Sequence, residues 1–382
     1  MDLLDWILLL GRVVVVFAAL LLSVLFLIWV ERKVIADMQT RLGPRRAGPW
    51  GLLVTLADGI KLFFKEGVRP AKADRWVYPL APIASMVPAF LAFAVIPFGA
   101  PVELFGRKVP LQIADLNVGI LFFLAMGSLA VYGVVLAGWA SGSAYPLLGG
   151  VRSTAQMISY EVGMGLGVVA VLMYTGTVQM SEIVARQDSI WNVIPQFPAF
   201  LIYTIAALAE TNRPPFDLPE AETELVAGYH TEYSGIKFAM FFLAEYLHAI
   251  TVSAVAVTLF LGGWRGPVFD FLPWLWPIVW FLLKVAAVLF VYIWIRATLP
   301  RFRYDRLMNF GWKLLIPWGL VWILATGAIV VLPDVYGRQT FFRWAAIAAG
   351  ALVLLSLVAP LFTRKPGPRE PFEPIASRGG GP

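Results

Sequence analysis

The sequence predicts an all-α polytopic membrane protein with about nine transmembrane helices and one amphipathic helix at the cytoplasmic surface. Hydrophobic residues make up 59% of the 382 residues and charged residues 14%, whereas soluble domains average roughly 25% charged residues. Nine apolar stretches are long enough to cross a bilayer, and they lack the alternating pattern of a barrel strand. They lie near residues 6–30, 77–97, 117–139, 156–175, 195–212, 238–261, 275–296, 314–333 and 340–362.

The distribution of basic residues predicts the orientation of these spans. Most of the 30 lysine and arginine residues follow the odd-numbered spans. Because basic residues collect on the cytoplasmic side, the N-terminus is expected outside and the C-terminus inside. An eight- or ten-span arrangement would break this alternation. Three long segments are therefore expected at the cytoplasmic face, at residues 31–76, 211–237 and 296–313. The other side holds Arg12, Arg107, Lys108, Arg186, Arg265, Arg338 and Arg343.

The start of the chain and its composition exclude several classes of protein. Asp2 and Asp5 stand where a signal peptide would be basic, so residues 6–30 are expected to remain as a span. The chain has no cysteine and only two histidines, His230 and His248. This excludes disulfides, iron–sulfur clusters, cysteine-based zinc sites and a pair of bis-histidine haems. If the protein serves redox chemistry, the electrons must come from a partner.

The first cytoplasmic segment begins with a turn that is rich in arginine. Gly43, Pro44, Gly48 and Pro49 are expected to break any helix there. The basic residues that crowd this turn are Arg41, Arg45 and Arg46.

An amphipathic helix is predicted directly after this turn, over residues 50–66. This pattern is typical of a helix that lies at the membrane surface. One interpretation is a surface anchor with snorkelling lysines. The other is a lip around the entrance for a lipid-soluble ligand, with donors for its polar head. The apolar face carries Leu52, Leu53, Leu56, Ile60, Phe63 and Phe64, and the polar face carries Asp58, Lys61 and Lys65.

Three carboxylates fall within predicted spans: Glu161, Glu210 and Glu245. A charge there costs roughly 3 kcal/mol on insertion scales, so each is a functional candidate. All three belong to the cytoplasmic halves of their spans, and Glu31 joins them at the end of the first span.

The second cytoplasmic segment is strongly acidic, and Arg213 is its only nearby cation. Mutual repulsion is expected to raise some of the carboxyl pKa values, which would suit proton relay. The alternative is a solvated acidic loop. The three carboxylates within spans favour a continuous polar path, and the spacing excludes a calcium loop. The acidic residues are Asp217, Glu220, Glu222, Glu224 and Glu232.

Four further features of the sequence are either explained by packing or left without an assigned role. Gly163 and Gly167 predict close helix packing, and His248 is expected to be a packed or polar-paired helix residue. Lys284, near the middle of a span, has no evident partner. The basic and aromatic third segment could pair with the acidic segment, contact lipid headgroups or dock a partner.

Several long motifs occur together and in order. They are ERKVIADMQTRLGPRRAGPWG with ADGIKLFFKE, then SYE at 159–161, AETNRPPFDLPEAETELVAGYHTEY and LPRFRYDRLMNFGWK. From about residue 6 to 335 the chain resembles the quinone-site membrane subunit of respiratory complex I. This family comprises the bacterial NADH-quinone oxidoreductase subunits of this type and NADH dehydrogenase subunit 1 of mitochondria.

The resemblance implies a long chamber for ubiquinone or menaquinone, framed by the first helix and the amphipathic helix. It implies that quinone is a substrate and that this chain holds no metal, haem, flavin or iron–sulfur cluster. The quinone head would be reduced in a peripheral arm by the terminal iron–sulfur cluster of a partner. The positions that match the chamber are Glu31, Arg32, Arg41, Arg45, Asp58, Lys61, Phe64 and Arg301.

The resemblance also implies a path of acidic residues that links quinone reduction to antiporter-like subunits. It further implies that small membrane subunits and membrane lipid contact the chain, and that the protein lies in the bacterial plasma membrane. It implies no nucleic-acid partner and no catalysis by this chain alone. The positions that match the path are Glu161, Glu210, Arg213, Asp217, Glu220, Glu222, Glu224, Glu232 and Glu245.

The C-terminus departs from the shorter mitochondrial form. We expect residues 1–338 to form the core of eight spans, 339–363 an additional helix, and 364–382 a disordered cytoplasmic tail. Two rival functions remain at this point: a subunit of a membrane-bound hydrogenase, and a stand-alone proton-coupled transporter.

Overall fold

The computed structural model describes residues 3–104, 106–217 and 226–336, and these are mostly helical. Short 3-10 turns occur at Pro49–Gly51 and Gly228–His230, and a π-helical turn at Gly311–Leu315. The elements are α1 (Leu3–Met38), α2 (Val54–Phe64), α3 (Val77–Phe93), β1 (Val102–Leu104), β2 (Arg107–Val109), α4 (Gly119–Ala140), α5 (Ala144–Thr175), α6 (Met180–Arg186), α7 (Phe197–Glu210), α8 (Gly235–Phe260), α9 (Leu275–Thr298), α10 (Tyr304–Phe310) and α11 (Ile316–Tyr336).

The helices confirm an all-α polytopic membrane protein. Six are long and apolar enough to span a bilayer: α1, α4, α5, α8, α9 and the continuous run Tyr304–Pro333. The shorter apolar helices α3 and α7 complete the first eight predicted spans. The ninth predicted span at 340–362 and the predicted tail at 364–382 lie outside the described residues.

Helix α8 occupies the centre of the unit Met1–Gly327. It contacts α1, α2, α3, α6, α7 and α9. Within its most apolar 18-residue window 72% of the residues are buried, compared with 22% for α1. Since most of the surface of α1 is exposed, α8 is the helix best placed to enclose polar groups in the interior of this unit. In the second unit, Ala328–Pro382, the structure describes only the last turns of α11.

Several helices extend beyond the apolar runs that predict them. Helix α1 continues to Met38, α5 begins at Ala144 rather than near residue 156, and α10 already forms at Tyr304. A helix bonds its own backbone, so helix-permitting residues continue it into water until a breaker intervenes. For α1 that breaker is the Gly43-Pro44 pair. The segment at 296–313 is therefore largely helical and leads directly into the last described span.

The predicted close packing at Gly163 and Gly167 is confirmed. A Cβ atom at Gly163 would lie 2.7 Å from Leu315 Cδ2, and one at Gly167 would lie 3.1 Å from the Ala199 carbonyl oxygen. Both glycines therefore let a neighbouring element approach α5. The small hairpin of β1 and β2, in which Val102 pairs with Val109, was not predicted.

Candidate functional site

A buried cluster of charges centres on Glu31, in the C-terminal half of α1. Its side chain is only 4% exposed. Arg213 Nη1 donates to both carboxylate oxygens at 3.1 and 3.0 Å, and Tyr246 Oη donates to Oε2 at 2.7 Å. Arg296, at the end of α9, also donates to this carboxylate. Four elements therefore converge on a single carboxylate, and they do so through charge-assisted hydrogen bonds.

Arg213 joins Glu31 to a second carboxylate. Its Nε lies 3.1 Å from Glu245 Oε1, and its guanidinium stacks 3.8 Å from the centre of the Tyr246 ring. Burial disfavours the charge on Arg213, but Glu245 and Glu31 outweigh it and raise the pKa of the guanidinium. Since a buried cation is tolerable only with such partners, Arg213 holds α1 and α8 together through one side chain.

This cluster forms the wall of a polar cleft of about 320 Å³. Asp217 lies at its edge, where Arg301 Nη2 donates to Oδ2 at 3.0 Å. Burial raises the pKa of Asp217 to about 6, against the opposing charges of Arg301 and Arg296. The basic third segment thus pairs with the acidic segment, which was one of its predicted roles. The cleft is lined by Glu31, Arg32, Ile35, Arg41, Asn212, Arg213, Pro214, Asp217, Phe242, Glu245, Tyr246 and Arg296.

The amphipathic helix α2 lies beside α1 and is connected to it by an exposed ion pair. Arg32 Nη1 donates to Asp58 Oδ2 at 2.9 Å, and Lys61 Nζ donates to Oδ1 at 3.1 Å. Slight burial opposes ionisation, but the Lys61 and Arg32 hydrogen bonds lower the pKa of Asp58. The predicted apolar face is exposed, most strongly at Phe64, at 82%. The helix was predicted over residues 50–66, and it begins later, at Val54.

An apolar cavity of about 590 Å³ lies between α1, α8 and α9. On α1 its lining runs from Val15 to Val30, and on α9 it ends at Ile293. These limits lie next to Glu31 and about one turn before Arg296. A long apolar space therefore ends beside the polar cleft.

The carboxylates Glu210 and Glu161 form a separate group. Glu210 Oε1 at the end of α7 lies 3.2 Å from His248 Nε2 on α8. Glu161 on α5 accepts a hydrogen bond from Ser128 on α4. The polar pairing predicted for His248 is confirmed, and its partner is Glu210.

Some predicted site residues lie outside these contacts. Arg45 is exposed on the loop before α2, and Glu232 is half-buried, with its backbone carbonyl accepting a hydrogen bond from Tyr78 Oη. Glu220, Glu222 and Glu224 lie outside the described residues. Over residues 3–104, 106–217 and 226–336, no three His, Cys, Asp or Glu side chains come together as a metal site requires.

Two residues of the cluster were not predicted: Arg296 and Tyr246. Arg296 was named only as the first residue of the basic third segment and was not assigned to the site. Tyr246 stands beside Glu245 in the sequence, and a polar tip next to a buried carboxylate is the signal that could have identified it. Lys284 does have partners. Its ammonium donates to the carbonyl oxygens of residues 261, 263 and 265 at 2.7, 3.0 and 2.7 Å.

Comparison with known proteins agrees with this arrangement. The family model described as NADH dehydrogenase matches residues 11–327. An NADH-quinone oxidoreductase subunit of Frankia casuarinae is 55% identical over 360 residues, which cover 93% of this chain and 80% of the relative. The described part of the match contains the whole Glu31 cluster, the polar cleft and the carboxylates Glu161 and Glu210. The chain therefore belongs to the NADH dehydrogenase family.

Proposed function

We propose that the chain is the membrane subunit of a proton-translocating NADH:quinone oxidoreductase. In this role it forms the access chamber for quinone and couples quinone reduction to proton translocation through buried carboxylates. The relative named above is an NADH-quinone oxidoreductase subunit. The observation that carries the coupling role is that Arg213 contacts both Glu31 and Glu245.

The chamber is the part of the proposal that concerns quinone. The exposed apolar face of α2 and the apolar cavity beside α1 both suit a long isoprenoid chain. The polar cleft offers guanidinium donors from Arg32 and Arg41, and quinone oxygens accept hydrogen bonds. Asp58, Lys61 and Phe64 belong to the approach along α2, and Arg45 to the loop before it. Arg301 belongs to the edge of the cleft.

Coupling follows from the shared cation. Arg213 divides its charge between Glu31, at the cleft, and Glu245, on the face of α8 that leads into the membrane. A change of charge in the cleft shifts the guanidinium towards or away from Glu31. Because Glu245 is stabilised as an anion by the same guanidinium, it releases or takes up a proton in response. Glu210 and Glu161 then continue the path.

The remaining parts of the proposal concern partners and setting. The electrons come from a peripheral-arm subunit that carries the terminal iron–sulfur cluster and the site of the quinone head. Small membrane subunits and antiporter-like subunits receive the protonation signal. The protein lies in the bacterial plasma membrane, with its N-terminus outside.

The coupling role is tested with Glu210→Gln and Glu220→Gln in membranes that contain the intact assembly. We expect both variants to lower quinone-linked NADH oxidation and proton pumping together. Glu103→Gln is the matched control, since Glu103 is an exposed carboxylate on the outer hairpin. Full oxidation and full pumping in both variants would remove the coupling role.

The chamber is tested with a photoreactive quinone analogue. We expect labelling of the segment from Asp58 to Phe64, because it forms the approach to the cleft. Labelling confined to the outer connections would exclude this chamber. Quinone-dependent NADH oxidation by the purified assembly separates the proposal from the hydrogenase and transporter alternatives.

A further inference from the structure

His248 is a titratable side chain in the middle of α8 that the proposed path does not yet use. It lies one helical turn after Glu245, so the two side chains share a face of α8. Its side chain is 13% exposed, and that of Glu210, which it faces, is 1% exposed. The imidazole is therefore enclosed with a carboxylate in the interior of the protein.

The contact between His248 and Glu210 is close but incomplete. Nε2 lies 3.2 Å from Glu210 Oε1, yet neither atom makes a well-directed hydrogen bond. Glu210 Oε2 is also buried without a hydrogen-bond partner. Leaving such atoms unpaired costs roughly 1–3 kcal/mol each, and more when they are charged. The arrangement thus has unused capacity to bind a proton or a water molecule.

A cavity of about 50 Å³ adjoins the pair. It is lined by Glu245 as well as by Glu210 and His248, and by the polar residues Ser85 and Asn212. A water molecule occupies roughly 30 Å³ of liquid and needs two to four polar partners. The cavity therefore has the volume and the polar lining for water between Glu245 and the imidazole.

The charged groups around the imidazole are mostly acidic. Glu210 faces it from α7, and Glu161 on α5 interacts electrostatically with both Glu210 and His248. Glu245 lies on the same helix, and the charge of Arg213 beyond it is shared with Glu31. From α3 and α4 the neighbouring polar groups are the hydroxyls of Ser85 and Ser128. Histidine is the side chain whose ordinary titration lies near neutral pH.

We infer that His248 is a proton-relay residue between Glu245 and Glu210, an inference that rests on the proposed function. A proton from Glu245 crosses the cavity through water and binds the imidazole. The imidazolium then releases a proton from Nε2 to Glu210 Oε1. No electron moves, and the imidazole returns to its neutral form while the proton advances from one carboxylate to the next.

The test compares His248→Asn and His248→Gln with the unaltered protein in membranes that contain the full assembly. Both amides can hydrogen-bond but cannot take up a proton near neutral pH. We expect the rates of NADH oxidation and of proton pumping per assembled complex to fall together by roughly tenfold or more, because a positioned proton-transfer group typically contributes about 10²–10⁴-fold to a rate. We also expect the pH dependence of both rates to flatten, because the amides do not titrate near neutral pH.

His230→Asn is the matched control for the pH profile. Burial lowers the pKa of His230 to about 4, so this histidine is neutral near pH 7 and its loss is not expected to change the profile. A purely structural role of His248 predicts less assembly in the membrane with unchanged rates per assembled complex. That result, or wild-type rates and a wild-type pH profile in both His248 variants, overturns the inference.

Glu210→Gln separates this inference from the function on which it rests. If Glu210→Gln abolishes pumping while the His248 variants pump normally, only the role of His248 fails. If Glu210→Gln and Glu220→Gln also pump and oxidise NADH normally, the proposed coupling function fails with it.

Discussion

Two charge clusters near the C-terminal end of α1 have the same chemistry and different surroundings. In each, one carboxylate lies between two basic side chains, Glu31 between Arg213 and Arg296, and Asp58 between Arg32 and Lys61. The side chain of Glu31 is 4% exposed and that of Asp58 is 37% exposed. Water can therefore replace a partner of Asp58 more readily than a partner of Glu31. The adjacent residues Glu31 and Arg32 thus place one cluster in the interior and the other at the surface.

The largest loss of stability is expected when the buried cation Arg213 is removed. Arg213→Gln leaves both Glu31 and Glu245 short of a counter-charge, and breaking a buried pair costs about 3–5 kcal/mol. We expect the free energy of unfolding in detergent to fall by that amount. The control is Arg303→Gln, since Arg303 and Asp305 form an ion pair in which both side chains are more than two-thirds exposed. Equal stabilities for the two variants would contradict the distinction between the clusters.

Asp217 is intermediate in exposure between Glu31 and Asp58, with a side chain that is 15% exposed. The pH dependence of stability tests the effect of this environment. Burial raises its folded pKa to about 6 from the usual 3.8, so the protonated form is favoured by folding. This contribution to stability is fully present below about pH 4 and is lost as the pH rises through 6. The free energy of unfolding of the unaltered protein should therefore fall by up to about 3 kcal/mol as the pH rises over this range. In Asp217→Asn this fall should be absent. The measurement is unfolding of both proteins at matched pH values, and parallel curves would refute the prediction.

Tyr246→Phe removes one neutral donor from Glu31 and leaves both arginines in place. A hydrogen bond to a charged group contributes about 1.5–3 kcal/mol, so we expect a loss of about 2 kcal/mol in the free energy of unfolding. Tyr132→Phe serves as control, because Tyr132 is 62% exposed on α4. The prediction fails if Tyr246→Phe is as stable as this control.

The smallest effect is expected at the exposed cluster. Asp58→Asn should change the free energy of unfolding by less than about 1 kcal/mol, since exposed ion pairs contribute little and salt screens them. The same measurement at high salt should make the difference smaller still. A loss as large as that of Arg213→Gln would show that the Asp58 cluster is buried in the assembled protein.

The spans were predictable because the length of an apolar run is set by the bilayer. All eight apolar helices of the described part correspond to predicted stretches. Their ends were not predictable, since α1 continues to Met38 with polar residues that form a helix equally well in water. Hydropathy therefore locates the membrane and leaves the helix ends open.

The candidate site was predictable as a set of residues but not as a set of contacts. Glu31 was assigned to the chamber, and Arg213 and Glu245 to the proton path, although these three residues form one cluster. The contact between Glu31 and Arg213 joins positions 182 residues apart, and no spacing rule reaches that far. Arg296 was missed because a basic residue at the end of a span also satisfies topology. Its contact with Glu31 is what distinguishes it, and that contact joins positions 265 residues apart in the sequence.

Lys284 gives α8 a fixed end. Its ammonium uses its three N–H groups on the three carbonyls that follow the helix, and it also lies 4.3 Å from the centre of the Trp191 ring. Glu245 lies 16 residues before Leu261, or about 24 Å along the axis. At that distance a tilt of about 5° around the end held by Lys284 would displace Glu245 by about 2 Å, enough to separate its carboxylate from Arg213. Lys284 therefore holds the end of α8 that lies opposite the residues of the Glu31 cluster.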